Sequence, residues 1–194
     1  DLRNKVNAWA YKPSETSGRA VLSGSHPEGV ESGDRLEMFA GMLRYAMDGN
    51  GGPVLKAVLE PGQERIMDRR TSDADPEHTM IGDRQYHHFA VDVPKGCTQA
   101  VISLKSLKGW RNFDMSLYVS DDSFAFSDVS QWRSVGEGID KQIVIDAPKP
   151  GRYYIGVCCD TTVDSQETAY GTQYSGRLDV LNGVPYRISV DLAE

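Results

Sequence analysis

Apolar and polar positions follow two different periods along this chain. Between Gly33 and Asp48, Leu36, Phe39, Ala40, Leu43 and Met47 recur at i, i+3, i+4 and i+7, which predicts an amphipathic helix with a buried stripe. Ser32 is placed to cap its start and Gly49 to end it. Ahead of the helix, Val6–Tyr11 and Arg19–Ser23 read as strands joined by a turn at Pro13 and Gly18. From Gln85 onward the period shortens to two. The strands expected there are Tyr86–Val93, Thr98–Leu104, Asp114–Val119, Lys141–Ile145, Arg152–Cys158, Tyr174–Leu181 and Pro185–Leu192, with Asn182-Gly183 as a hairpin turn.

Seven short strands at this spacing predict an antiparallel β-sandwich over residues 83–194, long enough to hold its own core. Residues 1–52 are expected to be the end of a larger α/β domain. Each large apolar side chain left in water forfeits about 1.5–3 kcal/mol of burial, and two strands cannot cover the helical stripe. Residues 53–82 read as a linker: a Gly-Pro break, a short amphipathic piece (Val54, Leu55, Val58, Leu59), then polar residues from Thr71 to Glu77. The acidic residues of that polar stretch lack the spacing of an EF-hand, so a solvated linker is the expectation.

The 194 residues carry a net charge of −7 and no Lys/Arg cluster, which points away from nucleic acid as a partner. No apolar run approaches the length of a membrane span, and no signal peptide opens the chain, which reads as starting inside a domain. Cys97, Cys158 and Cys159 fit neither a zinc knuckle nor a redox motif. They permit one disulfide, between Cys97 and either of the others or within the adjacent pair, or else three buried thiols.

The most specific chemical signal is His26-Pro27-Glu28, at the end of the run Ala20–Ser25. A histidine and a carboxylate two residues apart on an extended segment point to one side, so the acid can orient the imidazole and stabilise its protonated form. No nucleophile precedes it. Elsewhere, His87 and His88 are neighbours on one strand, expected to face opposite sides, one packed and one exposed. Asp121, Asp122 and Asp128 read as a solvated loop in preference to a metal or ligand site, and Trp110, Trp132 and Phe124 are candidates for an aromatic platform or for core anchors.

Two family resemblances follow. Gly18 to Glu28 with the helix after it resembles the end of a class I glutamine-amidotransferase-like domain, a flavodoxin-like α/β fold. That resemblance implies His26 as general base and Glu28 as its orienting acid, with an elbow cysteine attacking an amide. The chain has no such cysteine ahead of His26, which puts the nucleophile in an upstream part of the same protein. Gly82–Pro94, Phe113–Val119 and Pro150–Val157 resemble, in the same order, strands of the bacterial pre-peptidase C-terminal domain, a secreted β-sandwich of the jelly-roll or immunoglobulin-like kind. This implies an extracellular or periplasmic protein whose sandwich binds a polymeric or protein surface. In some members of the family the sandwich also binds calcium, and no calcium-binding residue is assigned here. The expected function is the C-terminal portion of an amidotransferase- or peptidase-like hydrolase with an accessory sandwich. The alternative is a non-catalytic binding or structural module with a degenerate α/β scaffold.

Overall fold

A computed structural model describes residues 8–11, 19–23, 33–48, 53–70, 76–110, 112–169 and 171–194. They fall into two compact units, Asp1–Val54 and Leu55–Glu194. His26, Glu28 and the Ser32 cap lie outside the described residues.

In the first unit, β1 (Ala8–Tyr11) and β2 (Ala20–Ser23) form an antiparallel ribbon in the register Ala8↔Ser23, and α1 spans Asp34–Asp48. The helix matches the periodicity within a residue. Its stripe is less covered than expected: Phe39 is half-buried, Ala40 is exposed, and Leu43 is 48% exposed. A four-residue, two-stranded ribbon has too little surface to cover fifteen helical residues. A flavodoxin-like parallel sheet is not among the described elements.

The second unit is a two-sheet sandwich. One sheet has the order β3-β5-β10-β7-β8, formed by Leu55–Val58, Tyr86–Val93, Gly151–Cys159, Met115–Ser120 and Trp132–Ser134. The other has the order β4-β13-β6-β9, formed by Glu64–Met67, Tyr186–Ala193, Gln99–Ser106 and Lys141–Asp146. A separate ribbon pairs β11 (Val163–Thr168) with β12 (Gly171–Gly176). All named strand pairs are antiparallel except β3 with β5.

Period-two alternation explains the core directly. From β5, Phe89, Val91 and Val93 point between the sheets; from β10, Tyr153, Ile155 and Val157; from β7, Met115, Leu117 and Val119. They meet Ala100, Ile102 and Leu104 of β6 and Tyr186, Ile188 and Val190 of β13. The stretch read as linker adds to this core, because Leu59, Met67 and Ile81 are buried in it and β3 and β4 form one edge of each sheet.

One strand expected from the sequence does not form. Tyr174–Leu181 divides into the end of β12 and a 3-10 turn over Leu178–Asn182. That turn eclipses residues three apart, so Leu178 and Leu181 share an exposed face while Val180 plugs the core. Asn182-Gly183 therefore ends a turn rather than centring a hairpin, with the Gly183 N–H donating to the Val180 carbonyl at φ +87°.

The five-stranded sheet is also covered on its outer face. The loop from Asp121 to Gln131 folds back over β10 and is closed by a tight turn in which Phe126 and Val129 exchange backbone hydrogen bonds of 2.9 and 3.2 Å. The approach requires glycine at position 156, where a Cβ would stand 2.2 Å from the Ala125 carbonyl oxygen. Gly156→Ala should therefore lift the loop and cost about 1–3 kcal/mol by overpacking. Urea unfolding midpoints and faster amide exchange at Phe126 and Val129 would register it; an unchanged midpoint would contradict the contact.

Candidate functional site

The chemistry-bearing side chains of the sandwich sit on adjacent strands and face opposite ways. His87 points into the core, where its Nδ1 is hydrogen-bonded to the Tyr186 hydroxyl at 2.7 Å. Burial, helped by the charges of Lys56 and His88, pushes this imidazole down to about 3. His88 points outward but is only 4% exposed, because Phe124 and Phe126 of the loop meet its ring edge-on at 5.2 and 4.7 Å. Tyr86 stacks beside it at 5.9 Å. Burial pushes His88 down to about 4, and its Nδ1 is enclosed with no hydrogen-bond partner. The two histidines do face opposite sides, as alternation requires. The expectation that one is exposed is corrected by the loop, whose position no local pattern encodes.

The cysteines are free and buried, which settles the open alternatives in favour of thiols. Cys158 lies on the outer face opposite Tyr86 and Ser116, and burial pushes it up to about 11; Cys159 faces the core and is pushed up to about 12, again chiefly by burial. A thiol so raised is almost wholly protonated at neutral pH and is a poor nucleophile. Ser116 donates to the Asp160 carboxylate beside it.

The three aromatic residues considered as a platform do not assemble. Trp110 stacks on Phe113, whose other neighbour is the Arg177 guanidinium 4.0 Å above the ring; Trp132 packs on Tyr153; Phe124 packs on Tyr154. Asp121, Asp122 and Asp128 are exposed on the loop. Among the described residues no group of three or more His, Cys, Asp or Glu side chains is arranged to hold a metal ion. The acidic cluster at one end of the sandwich has a protein cation instead. Buried Lys141 donates to the carbonyls of Glu137 and Gly138; burial lowers its pKa, and Asp114, Asp160 and Asp140 partly offset that. These residues do not fit a calcium site, since the ammonium already takes the carbonyl oxygens.

The open side of the sandwich carries a concavity that sequence reasoning missed because it lies in the presumed linker. A groove of about 490 Å³ runs along the edges of β3 and β4. Arg65 and His78 reach into it: the Arg65 Nη2 donates to the Glu77 carbonyl at 3.0 Å, and His78 Nδ1 donates to the Ile66 carbonyl at 3.0 Å.

Comparison with known proteins fits the sandwich. Residues 85–157 match the family model of the bacterial pre-peptidase C-terminal domain, so the segment from β5 into β10 carries that domain's signature, as its strand motifs led one to expect. Three solved structures are similar to the chain, each over its whole length. One is the pre-peptidase C-terminal domain of collagenase from Bacillus anthracis, at 15% identity over 73% of this chain and TM-score 0.41, covered 100%. Another is PliG of Aeromonas hydrophila, a periplasmic inhibitor of g-type lysozyme, at 14% identity over 72% of this chain and TM-score 0.38, covered 100%. The third is CorA, a surface-associated copper-binding protein of Methylomicrobium album BG8, at 10% identity over 73% of this chain and TM-score 0.38, covered 100%. No curated protein matches the chain. No helix among the described residues is long and apolar enough to cross a membrane.

The two depressed histidines make stability fall in acid. Both are neutral in the fold and take up protons when it opens, so their contribution is complete above about pH 6.5 and is lost as pH falls toward 4 and then 3. Two such groups together give a slope of up to about 2.7 kcal/mol per pH unit. Denaturant midpoints at pH 7.5, 6 and 5 should fall accordingly, and His88→Phe should remove about half of the slope. A pH-independent midpoint would show that the imidazoles are not held neutral.

Proposed function

We propose that the sandwich is a non-catalytic binding module of a protein that works outside the cytoplasm, engaging a polymeric or protein surface. The reading is carried by one observation. The imidazole and thiol on the outer face of the five-stranded sheet, His88 and Cys158, are sealed beneath the loop and held in their neutral forms at physiological pH. Buried neutral groups of this kind strengthen a scaffold and leave recognition to surfaces and edges. The match of residues 85–157 to a bacterial domain that is named for its place after peptidases supports extracellular or periplasmic residence.

A second reading keeps an enzyme in the parent protein. The sequence His26-Pro27-Glu28 between a strand and a helix favours it. In that reading His26 shuttles the proton, Glu28 holds the ring, and an upstream cysteine attacks an amide.

Purified protein from its source cells, and the same protein with His26→Ala, separate the two. L-Glutamine and short peptide amides serve as substrates. The module reading expects both forms at the background rate; turnover that disappears with His26→Ala would overturn it. Cell fractionation should place the protein in the periplasm or the medium, and a cytosolic location would contradict the extracytoplasmic assignment.

A further inference from the structure

We propose that the groove between β3 and β4 receives an extended, acidic peptide strand from a partner protein, with one of its carboxylates seated on Arg65. The inference rests on reading the sandwich as a binding module and names the site and the chemistry of its ligand.

Both flanks of the groove are sheet edges. β3 ends the five-stranded sheet and β4 ends the four-stranded one, and apart from the bridge of Arg69 to Thr79 just beyond β4 no further strand pairs with either edge among the described residues. The direction of the backbone groups can be read on β4. The Ile66 carbonyl accepts from His78 rather than from β13, so the backbone of Ile66 faces out of the sheet. By antiparallel alternation Glu64 does the same. An extended peptide can pair there as an added strand. The edges are not indiscriminate: β3 is four residues long and bulged between Leu55 and Ala57, which blunts casual pairing. Val58 and Ile66, 45% and 43% exposed, offer apolar contact to alternate side chains of the incoming strand.

The charge preference comes from what is already committed. Of the carboxylates lining the groove, Glu64 lies 3.4 Å from Arg187, Asp68 lies 3.7 Å from Arg69, and Glu60 accepts from Gln63 at 2.6 Å. Arg65 is different. Its Nη2 donates to a backbone carbonyl, the nearest carboxylate, Glu77, is 3.8 Å away, and its Nε is enclosed with no acceptor. A carboxylate entering the groove would give the guanidinium a charged acceptor at hydrogen-bond distance, which Glu77 at 3.8 Å does not. Lys56, which donates to Thr79, stands close enough for Arg65 to depress its pKa, second only to burial. A ligand carboxylate would ease that repulsion as well.

The test uses the full chain and two probes, acetyl-Thr-Val-Glu-Val-Thr-amide and the same peptide with glutamine for glutamate, followed by ¹H–¹⁵N NMR titration. The expected result is shifts at the amides of Val58, Glu64 and Ile66, with the glutamate peptide bound at least about fivefold more tightly. Arg65→Met should keep the folded spectrum and lose that preference. Glu77→Gln, which removes the neighbouring carboxylate, should tighten the glutamate peptide and guards against an Arg65 variant that fails to fold. No shifts at millimolar peptide, shifts that map elsewhere, equal binding of the two peptides, or a glutamate preference that survives Arg65→Met would each overturn the proposal. The His26 assay reads the module proposal separately, so a silent groove sinks this inference alone.

Discussion

The contact between the Gly156 backbone and the Ala125 carbonyl governs the chemistry of this sandwich. A sheet in an ordinary two-layer sandwich has one dry face and one wet face. Here the central strand β10 lacks a side chain at the point where the loop crosses it, so the loop lies directly on the sheet. Tyr118, Cys158 and Ala125 then form a small second core outside the main one, with Tyr86 packed against it. His88 and Cys158, the outer-face residues beneath the loop, inherit a dry environment from that closeness. The imidazole of His88 is driven down and the thiol of Cys158 driven up by the same loss of water.

Two of the polar groups inside the unit are held by partners. His87 is bonded to Tyr186 in the core, and Lys141 supplies an ammonium to the carbonyls of the turn at Glu137 and Gly138 while standing among aspartates. Each arrangement engages a polar side chain within the unit. Among the described residues, the backbone at the β3 and β4 edges and the charged rim around Arg65 stay open to the outside. The division is physical: side-chain chemistry is enclosed, and sheet edges are presented.

Much of this was legible in the sequence. The run Tyr86–Val93 matches β5 residue for residue because three of its inward positions, Phe89, Val91 and Val93, are large and apolar and Pro94 ends it. The strands around Ile102, Leu117, Ile143, Ile155 and Ile188 were readable for the same reason. β3 and β4 were not, because each is four residues long and β4 carries Glu64 and Arg65, so neither shows a period. The Leu178–Asn182 turn imitated a strand because Leu178, Val180 and Leu181 are apolar, and only the core's need for Val180 alone decides between periods two and three. The burial of His88 was illegible for another reason: it depends on a loop more than thirty positions further along, seated by a glycine another thirty beyond. His26 and Glu28, the sharpest chemical signal in the sequence, lie outside the described residues, and the groove lay hidden in what read as linker.

The most direct test of the sealed outer face is the reactivity of the native thiols. Treated with Ellman's reagent at pH 8, the folded chain should react at least about a hundredfold more slowly than free cysteine, since Cys158 and Cys159 sit near 11 and 12 and all three thiols are buried. All three should titrate at once in strong denaturant. Rapid labelling of Cys158 in the folded protein would mean that the loop stands open in solution, and the account of a chemically silent outer face would be wrong.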